Sequence, residues 1–263
     1  MPSDSPTTGL VAWWDEPASG PENMAADEVL AAEAVRLGRP LVRLYGWATT
    51  TFSLGAFQRF ADAAAAEAVA TLPLVRRPSG GGGIVHGSDL TYAVAVPREH
   101  PWGGEPQVLY DAFHEALVAE LGHRGVAARL HPGRPPEADD EARLFCFDRR
   151  ARGDLVVPGP APDGHKILGS AQRRLKAAVL QHGSLLLAAP RGVAQAAAHP
   201  GLTDLFPAAA ADGRDLATAW LARVAAAAGL RLEFAPAHFR SLHPAAIAAT
   251  AERFADPAWL RRR

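Results

Sequence analysis

Apolar residues recur every four positions at Leu109, Phe113, Leu117 and Leu121. That spacing lines one face of a helix and predicts helical structure over 108–121, with Gly122 as the C-cap. Leu216, Trp220 and Val224 repeat the pattern. They mark the buried face of a helix over 215–229, followed by a strand over 230–234 and a final helical segment. Near the start, Ser19 precedes Glu22 by three residues, the signature of a capping box. A helix over 23–37 follows from it and is stopped by Gly38 and Pro40. Residues 61–70 are mostly alanine, which predicts a further helix packed on the sheet. Short extended runs fill the intervals at 41–45, 51–55, 74–77 and 90–96. Residues 130–140 are polar and proline-rich, and predict a mobile loop ahead of Cys146 where substrate gating is one reading.

The stretch from 144 to 187 organises the rest. It opens on Cys146, passes a Pro/Gly-rich turn, and runs through Gly164-His165-Lys166-Ile167-Leu168-Gly169-Ser170-Ala171-Gln172 to Gln181-His182-Gly183-Ser184. This reads as a strand–turn–strand shaped around a ligand, with Gly169 and Gly183 letting the backbone come close. Upstream, Ser79 leads into four glycines, Gly80 to Gly83, and then to His86. Such a run between two strands is expected to wrap backbone N–H groups around an acyl or phosphate-bearing ligand, the alternative being a flexible hairpin tip. It is neither a phosphate-binding loop with a following Gly-Lys-Ser/Thr nor a dinucleotide fingerprint.

Composition narrows the classes. With 263 residues, 48% hydrophobic and 21% charged, the chain can bury a sizeable core as one large domain or two small ones. No internal repeat or interdomain linker is evident. A net charge of −1 argues against a general nucleic-acid binder. A single cysteine excludes an internal disulfide and any multi-cysteine zinc site. Ten histidines show no His-Glu-x-x-His spacing, so no metal site is expected. The start lacks a basic segment followed by an apolar one, and no apolar run reaches the roughly 20 residues of a membrane span. A cytoplasmic protein without a membrane partner is therefore expected. Taken alone, Cys146 reads as a small buried hydrophobe, Lys166 as a solvated charge, and His114 as a surface or packing residue. Arg149, Arg150, Arg152, Arg173, Arg174 and Lys176 form basic clusters, either solvated faces or a surface for an acidic protein.

Taken together, the motifs resemble the catalytic domain shared by lipoate–protein ligases, octanoyltransferases and biotin–protein ligases. The resemblance runs through Asn23-Met24-Ala25-Ala26-Asp27-Glu28, Leu44-Tyr45-Gly46-Trp47, Ser53-Leu54-Gly55 and Gln58. It continues through Arg76-Arg77-Pro78-Ser79-Gly80-Gly81, His86, Lys166 to Gln172, and His182-Gly183. It implies an α+β fold, a mixed and largely antiparallel sheet flanked by helices. Residues 1–263 would form a single biotin/lipoate protein ligase-like catalytic domain, with a core over about 23–235 and no separate accessory domain.

Cys146-Phe147-Asp148 ahead of the lysine resembles the cysteine-dependent octanoyl-ACP:protein N-octanoyltransferases. That likeness implies Cys146 as nucleophile and Lys166 as the adjacent cation, its pKa lowered so that it also serves as base. Arg77, Ser79, Gly80, Gly81, Gly82, Gly83, His86, Gly169, Ser170, Ala171, Gln172, His182 and Gly183 would bind the substrate. The implied donor is octanoyl acyl carrier protein. The acceptor would be a lipoyl domain or a glycine-cleavage H-type protein, and no cofactor is implied. Three departures touch the shape of the acyl pocket. Gly82 and Gly83 stand where arginine and alanine are expected, Gly87 where an acidic residue is common, and residues 158–163 form an insertion. Two alternatives stay open: a lipoate–protein ligase using ATP and Mg to form an acyl-adenylate, and a non-catalytic acyl- or lipoyl-domain-binding paralogue.

Overall fold

The computed structural model describes residues 9–133, 144–159, 163–190, 193 and 198–263. The capping box forms: Ser19 Oγ accepts from the Glu22 amide, while the Glu22 carboxylate accepts from the Ser19 amide at 3.0 Å. Helix α1 (Gly20–Leu37) starts there and ends at Gly38, left-handed with φ 66°. Strands β1 (Gly9–Trp14), β2 (Leu41–Tyr45), β3 (Thr51–Leu54), β4 (Leu74–Arg76), β5 (Ile84–His86) and β6 (Asp89–Pro97) follow in chain order, with helix α2 (Phe60–Ala65) after β3. Helix α3 (Pro106–His123) precedes β7 (Arg129–Leu130), β8 (Leu155–Val157), β9 (His165–Arg174) and β10 (Ala178–Leu186). The remainder holds α4 (Leu202–Leu205), α5 (Gly213–Ala227), β11 (Arg231–Phe234), α6 (Phe239–Leu242), α7 (Pro244–Ala255) and α8 (Pro257–Leu260).

The larger sheet has eight strands in the order β11-β1-β2-β6-β10-β9-β8-β7. Its first two pairings are parallel and all those from β2 onward are antiparallel. A smaller sheet, β4-β3-β5, sits beside it. This is the mixed, mainly antiparallel sheet with flanking helices that the motifs implied. Strands β2, β6 and β10 are buried along their whole length, because helices cover both faces. Leu30, Ala34, Ile247 and Phe254 from α1 and α7 pack on one side. Leu109, Phe113, Leu117, Leu216, Trp220 and Val224 from α3 and α5 pack on the other.

Several expectations need correction. The core does not begin near residue 23: β1 lies inside the sheet, parallel to both β2 and β11. Its run GLVAWW is continuous and apolar because a strand buried on both faces has no polar alternation to display. Gly122 lies within α3. The helix closes at Arg124 and Gly125, where φ is +81° and the Val126 amide returns to Leu121 O at 2.9 Å. Burial of Val126 is what turns the chain there. The alanine-rich segment is not one helix, since Ala66 is extended and a 3-10 turn (Glu67–Val69) follows. That break lets Ala63 and Val69 both bury against Phe52 and Leu54, so packing overrides alanine's helix preference. Of the expected loop over 130–140, residues 134–140 lie outside the described residues, as do 160–162 of the insertion.

Trp220 is fully buried, stands edge-on to Tyr92 and Phe113, and donates its indole N–H to Phe113 O at 2.7 Å. Trp220→Ala leaves a large cavity and removes the indole hydrogen bond to Phe113 O, and is expected to cost about 3–5 kcal/mol. A urea melt followed by circular dichroism measures it.

Candidate active site

Cys146 opens a 3-10 turn (Cys146–Asp148) that docks on the glycine run. Gly83 N donates to Leu144 O and Cys146 N donates to Gly83 O, both at 2.7 Å, while the Gln58 side chain donates to Leu144 O at 3.0 Å. A Cβ on Gly82 would stand 2.9 Å from Cys146 Cα, and one on Gly83 would overlap the Phe52 ring. Gly82 is therefore required by the close approach of the cysteine turn, and Gly83 by the Phe52 ring. Their amides do not all turn to a ligand as expected, since Gly83 N is taken by Leu144, and Arg77 binds the carbonyls of Gly80 and Gly82 at 3.2 and 2.7 Å. Gly81 has φ +90° and lines the cavity beside Cys146.

Lys166, on β9, is buried with its ammonium 3.6 Å from Cys146 Sγ and 3.3 Å from Cys146 O. Its third neighbour is the buried carboxylate of Asp154, 2.8 Å away. Burial disfavours the charge, but Asp154 and Cys146 outweigh it and hold the lysine above its ordinary pKa. The lowered pKa expected for a catalytic base is thus reversed in the free protein, because Asp154 was not foreseen. Gly169 makes the space: a Cβ there would stand 2.6 Å from Lys166 Cε. Gly183 does the same for Ser170 and Tyr92. These two glycines line the cavity, yet what their missing side chains admit is protein.

Two further charged networks support the cavity. Arg43 bridges Asp15 and Asp27 at 2.7 and 2.6 Å, with all three side chains fully buried. Asp27 accepts from the Tyr45 hydroxyl at 2.8 Å and lies 3.3 Å from His182, whose other nitrogen meets Ser79 Oγ. On the other side, His86 contacts Asp89 at 2.8 Å and Ser53 Oγ at 2.7 Å, and Arg77 donates to the same Ser53 oxygen at 2.6 Å. Burial keeps His86 below its usual pKa despite Asp89, and lowers Arg77 to about 10, which leaves the guanidinium charged at neutral pH. His114 is no surface residue. It is fully buried, paired with Gly153 O at 2.8 Å and Ser170 Oγ at 2.7 Å, and lowered to about 4 by burial.

These groups surround a cavity of about 420 Å³, its open mouth included. Of the expected residues, Arg77, Gly81, His86, Cys146, Gly169, Ser170, Ala171, His182 and Gly183 line it. Ser79, Gly80, Gly82, Gly83 and Lys166 stand behind that lining as supports. Gln172 is not part of the lining, and its amide donates to Pro106 O and Gln181, both at 2.7 Å. Unforeseen walls come from Met24, Tyr45, Trp47, Ile84, Thr91 and Ser184. Trp47 stacks on His86 with ring centres 3.9 Å apart. Met24, Tyr45 and Trp47 fall inside the quoted motifs, which was the available signal, whereas Asp154 and His114 carried none. Among the described residues no three His, Cys, Asp or Glu side chains are grouped to hold a metal ion, and no helix is long and apolar enough to cross a membrane.

Residues 19–199 match the family model described as the lipoyl protein ligase A/B catalytic domain. The chain is 38% identical over 175 residues to octanoyltransferase LipM of Macrococcus caseolyticus, covering 62% of this chain and 60% of that one. It is 36% identical over 180 residues to octanoyltransferase LipM of Bacillus subtilis, covering 65% and 62%. The match therefore spans about three fifths of the length of these relatives. Among solved structures, lipoate-protein ligase A bound with ATP superposes with a TM-score of 0.70 at 19% identity, over 97% of this chain and 98% of that one. At that identity the likeness is one of fold.

Two outcomes follow from the geometry. Gly83→Ala is expected to lower the melting temperature through its clash with Phe52. Gly82→Ala instead pushes on the cysteine turn and is expected to change the rate of Cys146 alkylation by iodoacetamide with a smaller loss of stability. For His114, the imidazole is neutral in both folded and unfolded chains above pH about 6.5. As pH falls toward 4 the unfolded chain takes up a proton that the folded one refuses, so stability is lost through that window. The loss reaches roughly 3 kcal/mol. Urea melts between pH 7 and 4 are expected to show a shallower decline for His114→Gln.

Proposed function

This chain belongs to the lipoyl protein ligase A/B catalytic-domain family, and we propose that it moves an octanoyl or similar medium-chain acyl group onto a protein lysine through a thioester on Cys146. Relatives named octanoyltransferase support the transfer. The pairing of Cys146 with Lys166 at 3.6 Å supports the thioester route. The donor in this proposal is an acyl thioester on acyl carrier protein, and the acceptor is a lysine of a lipoyl domain or H-type protein. A reaction through a free thiol suits a reducing compartment, and cytoplasm is the proposed location.

In the first half, Cys146 Sγ attacks the donor carbonyl, the carbon–sulfur bond to the carrier breaks, and the acyl group rests on the enzyme as a new thioester. A thioester stays activated, so little of the donor's driving force is lost. In the second half, the acceptor amine attacks the same carbonyl, an amide forms and the Cys146 thiolate leaves. Lys166 stands beside Sγ in both halves, placed to balance the thiolate charge and exchange protons. The acyl tail would lie along Met24, Trp47 and Ile84, with Arg77 and His182 at the polar side of the cavity.

The single observation that carries this proposal over an ATP-dependent ligase is the use of the lysine's protons. An ammonium has three N–H donors, and those of Lys166 face Asp154 at 2.8 Å, Cys146 O at 3.3 Å and Cys146 Sγ at 3.6 Å. A phosphate contact from Lys166 would require one of them to be given up. No ATP is therefore part of the proposal.

Incubation with octanoyl acyl carrier protein and no ATP is expected to add one octanoyl group to the intact mass, at Cys146. Cys146→Ala is expected to lose both the adduct and transfer while keeping its fold. A Cys146→Ala protein that still transfers when given ATP overturns the thioester in favour of the ligase. Lys166→Arg keeps a cation but exchanges no proton, so both acylation of Cys146 and discharge to the acceptor are expected to slow. Wild-type turnover by that variant overturns the role given to Lys166.

A further inference from the structure

The turn that carries Asp154 is shaped more tightly than a chance counter-ion requires. Gly153 has φ +86°, and a Cβ on it would stand 2.7 Å from the Tyr110 ring. His131 and the turn exchange two backbone hydrogen bonds, His131 N to Asp154 O at 2.7 Å and Gly153 N to His131 O at 2.8 Å. Asp154 Oδ1 accepts from the Tyr110 hydroxyl at 3.3 Å, while Oδ2 accepts from Ala151 N at 2.7 Å and from the Lys166 ammonium at 2.8 Å. Gly169 keeps the opposite wall clear for the lysine stem. Lys166 is 4% exposed and Asp154 2%, and an ammonium is stable at such depth only with a carboxylate beside it.

We propose that Asp154 is a positioning residue that keeps Lys166 cationic in the resting protein, so that the lysine enters the reaction as a proton donor and becomes a base only after the first transfer. This rests on the acyl transfer through Cys146 proposed above and assigns the order of its proton steps. Cys146 thiolate attacks the donor thioester, and the departing carrier thiolate takes a proton from Lys166. The product is a neutral lysine beside a neutral thioester, so the thiolate that also favoured the ammonium is gone. The incoming lysine ammonium gives one proton to Lys166 and attacks as an amine. Collapse of the adduct releases a second proton to solvent and restores the Cys146 thiolate beside a protonated Lys166. Charge and protons balance, with one proton released per amide formed.

Other titratable groups face this pair. Cys146 and Arg150 act on Lys166, and Tyr110, His114 and His131 stand near Asp154. Tyr110 is raised by burial and by Asp154, and His114 and His131 are lowered by burial, so these three are uncharged at neutral pH. Arg150 opposes the lysine charge, which leaves Asp154 as the carboxylate that sustains it.

The test separates the two halves of the reaction and reads the lysine directly. In a protein with ¹⁵N-labelled lysines, the Nζ signal of Lys166 is expected to stay protonated past pH about 10 in the wild type, and to titrate at least about one unit lower in Asp154→Asn. With octanoyl acyl carrier protein, Asp154→Asn is expected to slow acylation of Cys146 by about 10- to 100-fold. The pH midpoint for discharge to a lipoyl domain is expected to move down, and Asp154→Glu to recover part of the acylation rate. A wild-type Lys166 that already titrates below its ordinary value overturns the proposal, even if Asp154→Asn fails to fold. Equal slowing of both halves with an unmoved pH profile also overturns it, as that is the result of a merely structural role. The Nζ titration needs no donor. A protein that forms no acyl-enzyme would therefore refute the transfer itself, while the titration still reports on the charge of Lys166.

Discussion

Charge cannot be buried without a partner, and three carboxylates beneath one cavity set much of this architecture. Asp27 on α1 is held by Arg43 on β2, Asp89 at the start of β6 meets His86 at the end of β5, and Asp154 before β8 meets Lys166 on β9. The first two pairs join elements that share no backbone ladder, and the third reinforces the ladder between β8 and β9. An unpaired ion at these depths costs several kcal/mol, so each pairing constrains where its helix, strand or turn may sit. The outer ends of the first two pairs reach Ser79 and Ser53, which flank the approach to the glycine run.

The glycine run shows how a packing constraint can pass for a ligand signature. From sequence, four glycines between strands point to backbone amides turned toward a bound group. In the fold, Gly82 and Gly83 are fixed by the Cys146 backbone and the Phe52 ring, and the carbonyls of Gly80 and Gly82 are taken up by Arg77. An arginine at position 82 would need that cysteine turn to sit farther away, and an alanine at 83 would need the Phe52 ring to move. The departure at Gly82 therefore bears first on where Cys146 stands and only then on the shape of the pocket.

Legibility followed the range of the forces involved. The cap at Ser19, the stripe on α3 and the strand β2 were readable because periodicity and capping act over a few neighbouring residues. So was the motif order, which carried the fold, since Cys146 and Lys166 do meet, as do His182 and Ser79. What the chain order hid was long-range. Nothing around Asp154 distinguishes it from a surface aspartate until the β8–β9 pairing brings it to Lys166, and the lysine's charge state went unread with it. His114, read as a surface or packing residue, is buried and packed, and only its polar partners on the turn before β8 and on β9 went unread. Strand β1 was missed for a different reason, as burial on both faces erases the alternation by which a strand is recognised.

The same networks decide which group can serve the thiol. A histidine would be the usual proton carrier at neutral pH, and three are buried around this cavity. Each has both ring nitrogens engaged: His86 with Asp89 and Ser53, His182 with Asp27 and Ser79, and His114 with Gly153 O and Ser170. For any of them to take a proton from the reacting centre, a buried hydrogen bond must be given up and a charge accepted in a dry site. Lys166 differs in lying against Sγ with its charge already compensated by Asp154, which stays in place when a proton is exchanged. The histidines shape the cavity, and the lysine is left as the group beside the sulfur whose charge can change without breaking the frame.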